Sequence, residues 1–281
     1  MSIMKKLREY LNRPLSFAVF LLIIISTVIT ALTVVFIIGY IFIKGVPNLS
    51  LDLFSLEYSS SNQSMLPSII NTVYLTALTL LLAVPIGIFS AIYLAEYSRK
   101  NSFFVKIINI ANETLSGIPS IVYGLFGFLA FVISKKWGYS LLAGVITLAI
   151  MVLPLIIRTS QEAMLGVDNT FREASYGLGA GKLRTVFKIV LPSAMPGILS
   201  GIILAIGRIV GETAALIYTA GTVPEAATKL TSSSRTISVH LYCLLNEGLY
   251  TEQAYATAVV LIVFVVIINA LSNALAKKIM K

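Results

Sequence analysis

Six stretches of the chain are long and apolar enough to cross a lipid bilayer: Leu15–Ile43, Ser68–Leu94, Ile107–Ile133, Tyr139–Ile157, Ala194–Ala220 and Ala256–Ala276. A span takes roughly 20 mostly apolar residues, and none of these runs alternates as a transmembrane strand would. The expectation is an all-helical (all-α) polytopic membrane protein with about six transmembrane helices. Composition points the same way, since 57% of residues are hydrophobic and 12% charged, too apolar a mix for one water-soluble core. The first run follows a basic start, as a secretory signal would. It is longer than a signal's apolar region and has no small-residue cleavage site, so it reads as a retained helix.

The net charge of +9 could suggest nucleic-acid binding, but the spans explain where the positive residues fall. With a cytoplasmic amino terminus, the inner segments hold Lys5, Lys6, Arg8, Arg13, Arg99, Lys100, Lys106, Arg158, Arg172, Lys182, Arg184, Lys188, Lys277, Lys278 and Lys281. The outer ones hold only Lys44, Lys135, Lys136, Lys229 and Arg235. That bias orients the chain with both termini inside, and the Lys135–Lys136 pair is its one local exception. No nucleic-acid partner is expected.

Cys243 is the single cysteine, so no internal disulfide can form, and it reads as a packing residue. The single histidine, His240, has no partners at metal-ligand spacing, and no metal or cofactor is expected. With no soluble domain in evidence, the chain parses into 1–67, a tail, first helix and outer loop, and 68–281, the membrane core. That core includes the inner segment 158–193 and the outer loop 221–255. Pro85, Pro119 and Pro154 lie within spans and would kink them.

The inner segment 158–193 mixes charge with helical apolar spacing. Asp168 and Asn169 are good helix starters and Gly177 and Gly179 good terminators. Past the glycines, Leu183, Val186, Phe187 and Val190 can share a helical face, and Pro192 should stop that second helix. Gly177-Leu178-Gly179-Ala180-Gly181-Lys182-Leu183 imitates a phosphate-binding loop, but it is one residue short before the lysine, lacks the following Ser or Thr and follows a helix. The chain is therefore expected to carry no nucleotide site of its own and to be no enzyme.

Glu173-Ala174-Ser175, then Gly179, then Ile189-x-Leu191-Pro192, resembles the EAA loop of bacterial ABC-importer permeases. The resemblance implies the ABC-importer permease fold, with a short cytoplasmic coupling helix docked into a groove on a separate ATPase. Glu173, Ala174, Ser175 and Gly179 would then carry the ATPase coupling. Ser175 departs from the alanine of the pattern, a change between small residues. Independently, a helix set in a partner's groove needs small contact residues and a glycine to turn sharply.

The fifth run carries Arg208 and Glu212, four residues apart and so expected on one helix face. Arg208 would lie roughly 20 Å along the helix from Ala194, where an arginine costs about 2.5–3.5 kcal/mol and needs a partner or a watery cavity. One reading is a structural ion pair. The other is that Arg208 faces a pathway and holds an anion while Glu212 compensates its charge in the empty site. Glu113-Thr114-Leu115-Ser116-Gly117-Ile118-Pro119-Ser120-Ile121-Val122-Tyr123-Gly124 and Gly207-Arg208-Ile209-Val210-Gly211-Glu212-Thr213-Ala214-Ala215-Leu216 resemble the phosphate-specific ABC permeases, the A-type subunit especially. That likeness runs from about Ser68 to the end. It implies a phosphate pathway through Arg208 and Glu212. The implied partners are a homologous C-type permease, two ATPase subunits and an extracytoplasmic phosphate-binding protein, in a bacterial or archaeal cytoplasmic membrane.

Gly197-x-x-x-Gly201 and Gly207-x-x-x-Gly211 read as helix-packing stripes. Three rivals stay open at this point, one of them a non-transporting membrane scaffold or assembly factor. A permease for another oxyanion would keep the EAA loop but not the Gly-Glu-Thr-Ala signature. A secondary transporter driven by an ion gradient would show paired broken helices in matching halves, which the sequence does not display.

Overall fold

The computed structural model describes residues 14–98 and 102–279, and every regular element among them is helical. Lys5, Lys6, Arg8, Arg13, Arg99, Lys100 and Lys281 lie outside the described residues, as do both termini. The elements are α1 (Pro14–Gly45), α2 (Leu66–Ile92), α3 (Phe103–Gly117), α4 (Ser120–Gly127), α5 (Leu141–Leu165), α6 (Asn169–Gly177), α7 (Lys182–Thr185), α8 (Leu191–Val210), α9 (Ala214–Thr219), α10 (Ile237–Glu247) and α11 (Thr251–Ile279). Wide π turns extend α2 (Tyr93–Tyr97) and α4 (Phe128–Ser134) and join α7 to α8 (Val186–Val190).

Five unbroken stretches can cross a membrane, and the third expected span is a composite. Its two arms, Val105–Gly117 and Ser120–Ser134, meet at 102°. Pro119 is thus not a kink within one helix. It forces Ile118 into an extended conformation (φ −71°, ψ 130°) and starts α4 afresh. Pro85 and Pro154, by contrast, sit inside continuous helices.

The fifth span differs at both ends from the expected Ala194–Ala220. It begins at Lys182, because Pro192 does not stop the helix. The π turn Val186–Val190 relaxes the hydrogen-bond ladder just ahead of Pro192, whose missing N–H then falls in the first turn of α8. It ends at Val210, and residues 211–213 separate it from α9. Among the described residues, two of the six expected spans are therefore interrupted, contrary to the expectation from sequence. Their second halves, α4 and α9, pack together so tightly that a Cβ on Gly124 would lie 2.8 Å from Ala215 Cα.

α2, α5 and α8 form the centre. Leu75, Leu148, Met151, Ile156, Ile209 and Leu216 are all but inaccessible in the main core, where close van der Waals packing holds the helices together in lipid. A second cluster, Ala91, Ile92, Met164, Val186, Val190 and Ala194 among its members, seals the base of α2, α5 and α8. α1 buries nothing in its apolar window and rests only its end on α11, through Gly45 against Tyr255 and Val259. Gly197 and Gly201 pack against Ala163 and Thr159 of α5, so that stripe works within the chain; Gly207 and Gly211 meet no other element.

The 221–236 segment closes the opposite end. The first backbone N–H groups of a helix lack internal partners; in α5, Leu141 N–H donates to Ser232 O and Leu142 N–H to Leu230 O (both 2.9 Å), while Ser140 Oγ accepts from Ala143 N–H. Buried Asn71 of α2 donates to Glu225 O and Arg235 O and accepts from Ala227 N–H, clamping the same segment. Behind it, Arg235 lies over the Tyr58 ring (4.6 Å) and His240 meets that ring edge-on. Cys243, half-buried, packs on the main core, and burial pushes its thiol above the ordinary value.

Burial, and then the charge of Arg235, push His240 down to about 3. The unfolded chain binds that proton near pH 6.5, so stability is whole above about 6.5 and is lost as pH falls toward 3. At pH 5 the loss should be about 2 kcal/mol. Thermal unfolding in detergent should show a clear drop from pH 7 to pH 5 that is much shallower in His240→Phe; identical profiles would contradict this account.

Candidate functional site

The two groups of residues singled out by sequence sit at opposite ends of the Lys182–Val210 helix, about 40 Å apart along it. At its start is the helix-turn-helix of α6 and α7. Asp168 caps α6, accepting from Thr170 N–H (2.9 Å) and Thr170 Oγ1 (2.7 Å), and both bonds hold its carboxyl below the usual carboxylate range. Gly179 makes the turn at φ +79°, a conformation that L side chains rarely adopt, with open space where a Cβ would stand. Glu173 and Ala174 are exposed. Ser175 is buried, and its hydroxyl shares a 2.8 Å hydrogen bond with Thr185 Oγ1, fastening α6 to α7.

The apolar face expected on α7 is divided. Val186 and Val190 are buried, whereas Leu183 and Phe187 stand out, because only one flank of this helix is covered by the rest of the chain. Together with Phe171, Tyr176 and Leu178, the last 89% exposed, they give the loop and the start of the Lys182–Val210 helix an apolar outer surface.

At the other end, Arg208 occupies the last turn of α8 and Glu212 lies past its end, so the two do not share a helix face as expected. No ion pair joins them: the ion pairs among the described residues are Arg158–Glu162 and Arg172–Glu96. Glu212 is buried, and its Oε1 instead accepts from Ala215 N–H (3.0 Å) at the start of α9, while its carbonyl accepts from Ser238 Oγ (2.7 Å). The carboxylate is stabilised by a helix N-terminus and the guanidinium by a helix C-terminus. Such end effects reach at most about 2 kcal/mol, short of the roughly 2.5–3.5 kcal/mol an arginine costs in lipid. Arg208 is half-buried and has no ion-pair partner among the described residues. Tyr123, whose hydroxyl donates to Leu115 O (2.8 Å) across the α3–α4 break, lies within electrostatic reach of it.

A cleft of about 190 Å³ opens between α3 and α5, lined by Asn109, Asn112, Glu113, Arg158, Gln161 and Glu162. By sequence these residues belong to the apolar run Ile107–Ile133 and to the inner segment 158–193. Their signal was there, since Asn109, Asn112, Glu113 and Ser116 recur at helical spacing on one face of α3.

Residues 83–281 match the family described as the binding-protein-dependent transport system inner membrane component. The chain is 32% identical to the probable ABC transporter permease protein YqgI of Bacillus subtilis over 82% of this chain and 84% of that one. It is 34% identical to the phosphate transport system permease protein PstA of Yersinia pestis over 84% and 81%, and 36% identical to PstA of Haemophilus influenzae over 70% of each. Among solved structures, a bacterial ABC transporter that imports the polysaccharide alginate aligns over 99% of this chain and 100% of its own, at a TM-score of 0.67 and 18% identity. The MetNI methionine ABC transporter aligns over 76% and 94% at 0.58.

The Glu212 carboxylate should matter to folding as an acceptor, irrespective of its charge. Glu212→Ala leaves the buried Ala215 N–H unpaired, at a cost of about 1–3 kcal/mol, whereas Glu212→Gln keeps an acceptor oxygen. Thermal unfolding in detergent should place Glu212→Gln near wild type and Glu212→Ala clearly below it; an Ala variant as stable as wild type would contradict the capping role.

Proposed function

Since the chain belongs to the inner-membrane permeases of binding-protein-dependent transport systems, we propose that it forms half of the pathway of an ATP-driven phosphate importer. It pairs there with a homologous C-type permease. Two ATPase subunits dock on the α6–α7 loop, and an extracytoplasmic binding protein delivers phosphate to the 221–255 side. The PstA likenesses support the substrate, and residues 68–281 form the working core. The EAA-type loop and the family assignment weigh against a secondary transporter, even though two spans are broken.

One observation carries the reading: the break at residues 211–213 parts Arg208 from Glu212 and leaves the guanidinium without an ion-pair partner among the described residues. A planar donor set of this kind suits phosphate oxygens in two-pronged hydrogen bonds. Glu212, held on Ala215 N–H, keeps the break in shape and tempers the positive potential. Glu173, Ala174, Ser175 and Gly179 form the coupling element, with Gly179 setting the turn.

Arg208→Gln combined with Glu212→Gln removes both charges. If Arg208 holds phosphate, this variant assembles with the ATPase but fails in ATP-dependent phosphate uptake, and Arg208→Lys assembles with reduced uptake because lysine lacks the planar fork. Wild-type uptake by the double variant at equal membrane abundance would show that the pathway runs elsewhere.

Orientation is tested separately. In a Cys243-free background, a cysteine at exposed Thr231 should react with an impermeant thiol reagent applied outside intact cells. Labelling only after the membrane is opened would reverse the topology.

A further inference from the structure

The cytoplasmic loop is joined to α8 by the chain itself, but a second connection runs to α2, a helix about 75 residues earlier in sequence, with which it has no covalent continuity. Glu96 and Tyr97, neighbours in the π turn that ends α2, each hold one arm of the helix-turn-helix. Glu96 Oε1 accepts from Arg172 Nη2 (2.7 Å) and Nε (3.1 Å) on α6, and the two side chains are only 6% and 13% exposed. Lys182 at the head of α7 places its Nζ 4.8 Å from the centre of the Tyr97 ring.

Arg172 does not need Glu96 to stay in place. It also donates to Val167 O (2.7 Å), Met164 O (2.8 Å) and Asn169 Oδ1 (3.3 Å), which fix it to the end of α5 and to the linker. What Glu96 adds is the tie to α2. The tie is short, two-pronged and largely shielded from water, so it should be stiff. The π turn supplies the geometry, since widening the last turn sets consecutive residues of α2 against two different arms of the loop, and such turns often mark functional positions.

We propose that Glu96, seconded by Tyr97, is a positioning residue of the transport cycle: it makes α2 move with the coupling loop, so that displacement of α6 reaches the α2–α5–α8 core through two helices. This inference rests on the importer reading above. Cutting the tie should leave the outer surface of the loop, and hence ATPase binding, unaltered while ATP hydrolysis no longer drives the pathway efficiently.

The test is the number of ATP molecules hydrolysed per phosphate taken up, in proteoliposomes containing the assembled complex and saturating binding protein. Glu96→Gln and Tyr97→Leu should co-purify with the ATPase and hydrolyse ATP within about twofold of wild type, while uptake falls about tenfold. Tyr97→Phe, which keeps the ring face, should behave as wild type. Should Glu96→Ala fail to accumulate, Glu96→Gln still carries the measurement, because it keeps the size of the side chain while removing the ion pair that makes the tie to Arg172 strong. Uptake and hydrolysis falling together with loss of the ATPase would overturn the proposal in favour of a docking role. Unchanged ATP per phosphate in both variants would overturn it outright while leaving the importer reading intact. Absence of ATP-dependent phosphate uptake by the wild-type complex would take down both.

Discussion

Lipid offers no hydrogen-bonding partner to a broken helix, so every interruption of a span must be closed by the chain itself or by water in a cavity. The break at residues 211–213 depends on this constraint. Glu212 closes it from one side by accepting from Ala215 N–H, and Ser238 of α10 closes it from the other by donating to Glu212 O. The break at Ile118–Pro119 is closed by the Tyr123 hydroxyl on Leu115 O. Gly124 then lets α4 lie directly on the backbone of α9, so the two interrupted spans brace each other. With Glu212 committed to the backbone, Arg208 is left without an ion-pair partner among the described residues.

The same economy appears at the α6–α7 end. The Ser175–Thr185 bond fastens the two arms of the loop, the Arg172 guanidinium spans the ends of α2 and α5, and Gly179 sets the turn. The inner surface of the loop is thus fixed by hydrogen bonds to its own chain. Its outer surface, with Phe171, Leu178 and Leu183, is left apolar and uncovered, a condition that fits burial against a partner subunit.

Much of this was legible in the sequence because lipid selects for long apolar runs, and glycine and N-capping residues punctuate helices through local geometry. The Asp168 cap and the Gly179 turn are of that kind. The broken spans were not, since Glu113-Thr114-Leu115-Ser116-Gly117-Ile118-Pro119 and Gly211-Glu212-Thr213 are short interruptions within long apolar runs, and length alone reads those runs as continuous spans. The four-residue spacing of Arg208 and Glu212 suggested a helical pair only on the assumption that the helix persisted. Pro192 misled in the opposite sense, as a π turn five residues long carried the helix past it. Ser175 looked like a neutral replacement for alanine, and its bond to Thr185, ten residues away, depends on tertiary placement.

The central claim is that Arg208 and Glu212 serve separate partners, the guanidinium an anion and the carboxylate the backbone of α9. The most direct measurement is an experimental structure of the assembled transporter in a lipid nanodisc, solved with and without phosphate. The account predicts phosphate within hydrogen-bonding distance of the Arg208 guanidinium, with Glu212 still accepting from Ala215 N–H in both states. Arg208 closed onto Glu212 as an ion pair in the phosphate-loaded state, with the anion held by other residues, would contradict it.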